Sequence, residues 1–362
     1  MNKQIDNIIR SFLEDNMEFR KLGNTDVDVS LICLGTMTWG EQNTEKDALE
    51  QLDYSLDSGI NFIDTAELYP VPPKKDTQGL TDQYIGNWIG LRKNRDKFIL
   101  ASKVTGRSGM DWFRGPETRL DRDNITQSVD SSLKRLKTDY IDLLQLHWPD
   151  RKSNFFGNLD YKHSEEDDFI PIEKQLEVLA DLQKSGKIRY IGISNETPWG
   201  MAKFLELSKT NNLPRIVSIQ NPYSLLNRTF EIGLSEIAIR EYCGLLAYSP
   251  LAFGVLSGKY LGDQKPKGAR LTLFGDQFTR YTKDRSVKAT ADYVAIAKKH
   301  NLDPAQMSLA FINCQPFLTS NIIGATTMDQ LKSNIESLSI SLSEEVISDI
   351  EAIHLSNPNP SP

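Results

Sequence analysis

Residues 60–70, INFIDTAELYP, begin as an apolar run and end in acids and a phenol. Ile60, Phe62 and Ile63 suit a buried strand. Asp64 stands where that strand stops, and Tyr69 follows five residues later. The same kind of run recurs along the chain: SLICLG (30–35), INFID (60–64), KFILAS (97–102), YIDLLQLH (140–147), IRYIGIS (188–194), RIVSIQ (215–220), GLLAYS (244–249) and SNIIGA (320–325). These runs are rich in Ile, Val and Leu and apolar on both faces. That pattern suits parallel strands covered by helices better than half-exposed antiparallel ones.

Helical patterns lie between and after them. TEKDALEQLDYSLDSG (44–59) has a threonine cap at its start and a glycine just past its end. TDQYIGNWIG (81–90), DRDNITQSVDSSLKRL (121–136), PIEKQLEVLADLQKSG (171–186) and TPWGMAKFLELSKT (197–210) follow. TFEIGLSEIAIREY (229–242), VKATADYVAIAKKH (287–300) and TMDQLKSNIESL (327–338) complete the series. Strand-then-helix repeats joined by right-handed crossovers predict a (β/α)8 TIM barrel in one domain. A doubly wound open sheet is the rival, but a nucleotide-binding member would want GxGxxG after its first strand, and none occurs here. EFRKLGNTDVDVS (18–30) predicts an N-terminal β-hairpin at the barrel floor. Long connections at 68–80, 104–122, 148–170 and 250–286 would all lie on the C-terminal face, where barrel active sites are built.

Hydrophobic residues at 39% and charged residues at 25% are ordinary for a soluble globular chain. A net charge of -7 disfavours a nucleic-acid surface. Cys33, Cys243 and Cys314 are isolated, which suits a reducing, cytoplasmic compartment and excludes a cysteine-rich zinc site. No stretch has the length and apolarity of a membrane span, and residues 1–16 lack the apolar core of a secretory signal. They read as an N-terminal extension forming a short amphipathic helix, ahead of a barrel over 17–355 and a disordered tail over 356–362.

In such a barrel Asp64, Lys103 and His147 end three consecutive strands and Tyr69 enters the loop after the first of these. Alone, each has a plainer reading: a helix cap, a solvated charge, a hydrogen-bonded core histidine. Together at one rim they suit proton transfer to a carbonyl oxygen. A lysine ammonium beside a phenol stabilises the tyrosinate, and lowering its pKa by two or three units removes roughly 3–4 kcal/mol of the deprotonation cost. Asp64 would keep that lysine charged despite burial, and His147 would orient the carbonyl.

At this point the motifs become recognisable. INFIDTAELY, ILASKV, IDLLQLHWPD, GKIRYIGISN, IQNPYSLLNR, LAYSPLAFGVLSGKY and IIGATTMDQLKSNIES together resemble the aldo-keto reductase superfamily, collinearly from about Met17 to about His354. LGTMTWGEQN and AELYPVPPKKDTQGLTD make the chain most similar to its bacterial Tas-type members. The resemblance implies an NADPH-dependent reductase of aldehydes or ketones, with Asp64, Tyr69, Lys103 and His147 as the catalytic four and Tyr69 as general acid. It implies that Ser194, Asn195 and Gln220 hold the nicotinamide carboxamide, and that Tyr248 stacks on the nicotinamide ring. Ser249, Leu251 and Gly254 then begin the loop over the pyrophosphate. Gly324, Gln330 and Asn334 match the adenosine-phosphate end, at a helix N-terminus. Plainer readings remain for some of these: a helix cap at Ser194–Asn195, a satisfied core amide at Gln220, ordinary packing at Tyr248.

One position departs from the pattern. Many relatives carry an arginine two residues after the matched glycine, where this chain has Thr326. NADPH preference with weaker discrimination is the expectation, helped by Lys332 or Arg270. Trp39, Trp148, Phe155 and Phe156 either line an apolar substrate pocket or pack loops onto the barrel. The arginines of DWFRGPETRLDRD (111–123) either steer an anionic substrate or are solvated loop charges. The alternative function is a cofactor-binding regulatory subunit with little turnover, with residues 1–16 as the docking segment. A metal-dependent hydrolase fits worst, since His163, His300 and His354 fall away from the inferred mouth. Oligomeric state is not legible.

Overall fold

Alternation of strand and helix carries through into the computed structural model, which describes residues 17–362. The expected N-terminal extension, residues 1–16, lies outside the described residues. Strands β1 (Phe19–Lys21) and β2 (Asp28–Ser30) pair antiparallel, with Phe19 opposite Ser30. Eight parallel strands follow: β3 (Ile32–Gly35), β4 (Phe62–Asp64), β5 (Ile99–Val104), β6 (Ile141–Leu146), β7 (Ile188–Ser194), β8 (Ile216–Pro222), β9 (Gly244–Tyr248) and β10 (Leu318–Ile323). Each bonds to its neighbour in chain order and β10 closes on β3, giving the (β/α)8 TIM barrel.

The helices are α1 (Glu45–Asp57), α2 (Leu80–Arg92), α3 (Arg122–Leu136), α4 (Ile172–Lys184), α5 (Pro198–Thr210), α6 (Leu234–Arg240), α7 (Arg270–Phe274), α8 (Asp284–Lys299), α9 (Pro304–Asn313), α10 (Met328–Glu336) and α11 (Glu344–Ser356). Local chemistry explains their starts. Thr44 and Asp47 form a reciprocal capping box at α1, and the side chains of Asp121, Thr197, Asp303, Thr327 and Ser343 cap five others. None of the helices in the described residues is long and apolar enough to cross a membrane.

Three expectations change. The segment 229–242 is not one helix: Gly233 sits at φ 92° and separates a turn at Thr229–Glu231 from α6. A helix absent from the expected series, α9, packs on β10. It was hidden from pattern reading because Met307–Asn313 are all buried, so no amphipathic stripe marks it. The tail is not disordered either. Asn359 Oδ1 accepts from Arg228 N at 2.6 Å, Ser361 N donates to Leu226 O at 3.0 Å, and Ser286 Oγ donates to Pro360 O at 3.1 Å. Asn and Pro in this segment meet fixed partners across the barrel's outer wall, which composition alone does not reveal.

The barrel interior is filled from the bottom. Leu22 and Val29 of the hairpin pack against Cys33, Phe62, Ala101, Leu143, Val217, Leu246 and Ile322 from seven of the eight barrel strands. The hairpin therefore does close the floor. Its turn needs Gly23, at φ 63°, because a Cβ there would sit 2.4 Å from the Val217 carbonyl oxygen. With the lower layer apolar, the period of two along each strand sets the next layer. Phe62 gives way to Asp64, Ala101 to Lys103, and Leu143 to Gln145 and then His147. The polar layer thus begins at the C-terminal rim.

Candidate active site

Lys103 is fully buried at the end of β5, and its three ammonium protons have three partners. Nζ donates to Asp64 Oδ2 at 2.5 Å, to the Thr65 carbonyl oxygen at 2.8 Å and to Tyr69 Oη at 3.2 Å. Asp64, 2% exposed, is satisfied on its other oxygen as well. Gln145 Nε2 and Gln220 Nε2 donate to Oδ1 at 3.1 and 2.8 Å. The second amide proton of Gln220 goes to Gln145 Oε1 at 3.1 Å. A buried ion pair fully hydrogen-bonded in this way keeps both charges in place, where either alone would neutralise.

The electrostatics follow from burial and this pair. Desolvation pulls the Lys103 ammonium down, but the Asp64 charge and the bonds to Asp64 and Tyr69 outweigh it and hold its pKa above the usual value. Burial pushes the Tyr69 phenol up, and the Lys103 charge pulls it back only in part. The net result is a phenol above the usual tyrosine value, so the sequence expectation of a lowered pKa is corrected for the free protein: desolvation of the tyrosinate exceeds its attraction to Lys103. His147 lies edge-on to Tyr69, with ring centroids 5.9 Å apart. Burial, and then the Lys103 charge, hold its imidazole well below the usual range, so it is neutral at pH 7. Its Nδ1 is buried without a hydrogen-bond partner.

The residues matched to the nicotinamide form a second bonded group beside the first. Ser194 Oγ donates to the Gln220 carbonyl oxygen at 2.8 Å, and Asn195 Nδ2 donates to the His147 carbonyl oxygen at 2.9 Å and to Ser194 Oγ at 3.1 Å. Tyr248 Oη donates to Asn195 Oδ1 at 2.6 Å. Asn195 and Ser249 both hold positive φ, 52° and 53°, a region that asparagine tolerates and serine adopts only at a cost. Because both Gln220 amide protons point inward, its Oε1 is the atom left to accept from a carboxamide.

Beyond β9, Leu251 begins the turn containing Gly254, and Lys259 folds back over it: a Cβ on Gly254 would lie 2.8 Å from Lys259 Nζ. Arg270 contacts Met37 Sδ at 3.6 Å and the Phe253 ring at 5.2 Å. It therefore faces the mouth near Tyr69. Desolvation pulls its guanidinium down to about 10, and desolvation together with Arg270 lowers Lys259. Neither cation has a carboxylate partner among the described residues. Two half-buried, uncompensated cations beside Gly254 are what an anionic cofactor would neutralise.

At the start of α10, Thr326 N and Oγ1 donate to Gln330 Oε1 at 3.0 and 3.1 Å, and Asn334 Nδ2 donates to the Gly324 carbonyl oxygen at 3.3 Å. Nothing stands within 4 Å of where a Gly324 Cβ would be, so the backbone here is open to a ligand. Lys332 lies over the Tyr54 ring at 5.5 Å. Asn43 Nδ2 ties this end to the first loop through the Thr326 carbonyl oxygen at 3.0 Å.

One side of the mouth is apolar. Ala66, Leu68, Tyr69 and Trp148 are buried together, with Met37, Val71, Met110, Phe113 and Phe155 packed against them. Trp148 donates from Nε1 to the Arg107 carbonyl oxygen at 2.9 Å. Trp39 is elsewhere: fully buried in the main core, it donates to Gln51 Oε1 of α1 at 3.1 Å, so its proposed place in the pocket is corrected. The loop arginines are structural too. Arg114 makes a two-pronged pair with buried Glu67 at 2.6 and 2.9 Å, and Arg119 pairs with Asp150 at 2.9 Å.

Gln145 and Lys259 escaped sequence reading. A signal existed for Gln145, a polar residue two before His147 on an otherwise apolar inward face. One group of metal-ligand type occurs among the described residues, His300, Glu345 and Asp349. It lies on α8 and α11, away from the mouth, and Lys299 already bridges its two acids at 3.0 and 2.8 Å.

Residues 31–355 match the family model of the Aldo/keto reductase family. The chain is 53% identical over 347 residues to Protein tas of Escherichia coli, covering 96% of this chain and all of that protein. It is 40% identical over 252 residues to an aldo-keto reductase of Babesia bovis, across 66% of this chain and 88% of that one. It is 33% identical over 337 residues to the uncharacterized oxidoreductase YrpG of Bacillus subtilis, across 91% and 94%.

Proposed function

Because the chain belongs to the aldo/keto reductase family, an oxidoreductase family, we propose that it reduces aldehydes or ketones to alcohols with NADPH and with Tyr69 as proton donor. The observation that carries this reading is the Lys103 ammonium held at once by Asp64 and by the Tyr69 hydroxyl. When bound, the cofactor supplies the hydride. The chain's own residues manage the rest. Neutral His147 has one N–H with which to orient a carbonyl oxygen, and Tyr69, kept protonated by burial, donates its proton to that oxygen as charge develops on it. Lys103 then holds the tyrosinate, and Asp64 keeps Lys103 charged.

Ser194, Asn195 and Gln220 would position the carboxamide, Tyr248 would stack on the ring, and Lys259 with Arg270 would meet the phosphates. Preference for NADPH over NADH rests on Thr326, whose hydroxyl would bind the 2′-phosphate without adding charge, because the pyrophosphate is common to both cofactors. The free cysteines and the absence of a membrane-crossing helix among the described residues support placement in the cytoplasm.

The test is NADPH oxidation with 4-nitrobenzaldehyde, run in parallel with NADH, for the wild type and Tyr69→Phe. Turnover favouring NADPH, lost in the variant while it still binds NADPH, is the expected result. Equal turnover by the two proteins overturns the role of Tyr69, and equal rates with NADH overturn the cofactor preference.

A further inference from the structure

The loop after β9 carries a third cation for which the reading above has no use. Arg280 is half-buried and forms no ion pair among the described residues. Its guanidinium lies 5.9 Å from the Phe156 ring centroid and 5.8 Å from that of Tyr281. Its place is fixed closely: a Cβ on Gly157 would come within 3.2 Å of Nε. Burial works against its charge, and the nearby Tyr281 and Tyr248 hydroxyls, which also hydrogen-bond to it, outweigh that and hold its pKa above the usual value. The loops pin the guanidinium without an ion pair among the described residues, and the Pro362 oxygen lies near the same Gly157 position, 3.6 Å from where its Cβ would be.

Its neighbours place it at the rim of the apolar pocket. Phe156 packs edge-on to Trp148 at 5.5 Å, Trp148 lies 4.9 Å from His147, and His147 adjoins Tyr69. Tyr248, on Arg280's other side, bonds to Asn195. Phe156 adopts φ 54° and is 47% exposed, so a non-glycine residue takes a disfavoured conformation and shows its ring to solvent. A ring presented in this way next to an unpaired guanidinium makes a lip with one apolar and one cationic component. Arg114 and Arg119, from the loop after β5, are already paired with Glu67 and Asp150.

Resting on the reductase reading, we propose that Arg280 binds a carboxylate on the carbonyl substrate, so that the preferred substrates are oxo-carboxylates with an apolar body between the two groups. A planar guanidinium fork matches a carboxylate in two hydrogen bonds. A single planar guanidinium suits a planar monoanion such as a carboxylate. The apolar spacer lies along Trp148 and Phe156, with the carbonyl oxygen at Tyr69 and His147.

The test compares 4-carboxybenzaldehyde with its neutral near-isostere 4-formylbenzamide, in wild type, Arg280→Met and Arg280→Lys. Two readouts are taken: the ratio of kcat/KM values with NADPH, and the ratio of dissociation constants from quenching of tryptophan fluorescence. Wild type should favour the carboxylate by about tenfold to a hundredfold in both. Arg280→Met should bring both ratios near one, and Arg280→Lys should keep part of the preference, which a misfolded variant would not do. Equal ratios in wild type and Arg280→Met overturn the proposal. So does a variant that loses NADPH affinity while its aldehyde ratios stay as in wild type, since Arg280 would then serve the cofactor. If neither aldehyde turns over but the binding preference is present and lost in Arg280→Met, the carboxylate site stands and the reductase reading falls.

Discussion

Replacing Lys103 with Met tests the centre of the site, because that ammonium is the only cation among the described residues hydrogen-bonded to the Tyr69 hydroxyl. At the observed 3.2 Å, an effective dielectric constant of 20 gives about 5 kcal/mol between a full tyrosinate charge and Lys103. If half of that charge has developed in the transition state, about 2.5 kcal/mol is lost, or roughly 70-fold in rate. The assay is NADPH oxidation at saturating aldehyde, with cofactor affinity measured separately by fluorescence. The sign of the pH effect is also defined. Reduction needs Tyr69 protonated, so its rate falls as pH rises through the Tyr69 pKa, which lies above the ordinary value of 10.0 in the wild type. Tyr69 should therefore impose no loss between about pH 7 and 9, and Lys103→Met should move the alkaline fall higher, because the one large influence lowering that pKa is gone. The variant also leaves Asp64 buried without its cation, and Asp64→Asn in the same background should restore stability without restoring rate. Less than about a fivefold loss of kcat, with NADPH binding intact, would refute the electrostatic argument.

Two further expectations concern the frame of the site. Arg114→Ala leaves Glu67 buried with the Thr105 N–H at 2.7 Å as its remaining partner, which should cost about 3–5 kcal/mol in urea unfolding. A loss under about 1 kcal/mol would mean that the pair is not desolvated as its burial implies. His147 titrates against the fold: its folded pKa is depressed below 6.5, so the unfolded chain takes up a proton first as pH falls. That stability is present above the unfolded value and is lost on acidification at up to about 1.4 kcal/mol per pH unit. Between about pH 7 and 5 the wild type should lose about 2 kcal/mol more than His147→Asn; parallel acid limbs would contradict the neutral buried imidazole.

How much the chain discloses depends on the range of the physics involved. The period-two ascent from Leu143 through Gln145 to His147, and the step from Phe62 to Asp64, are local consequences of a pleated strand, so the rim positions are legible in sequence. The hairpin floor was legible for the same reason, since Leu22 and Val29 are apolar residues flanking a turn. Helix α9 was not, because its periodicity vanishes when every face is buried.

Partners across the barrel were beyond sequence reading. Gln145 meets Gln220 and Asp64 only because strands β4, β6 and β8 are staggered in a closed ring, bringing groups up to 156 positions apart to 2.8 Å. Trp39 was an aromatic in a loop until the fold buried it against Gln51, and Arg114 was a loop charge until Glu67 came under it. Which arginines are paired and which are left over, Arg270 and Arg280 among them, is decided by closure of the loops over the mouth. By itself the sequence determined the alternating elements, the three polar groups at the strand ends and the tyrosine in the loop beside them, because those follow from neighbours along the chain. Only the tertiary structure decided the charge state of Tyr69 and His147, because desolvation is set by whatever the rest of the molecule packs around them.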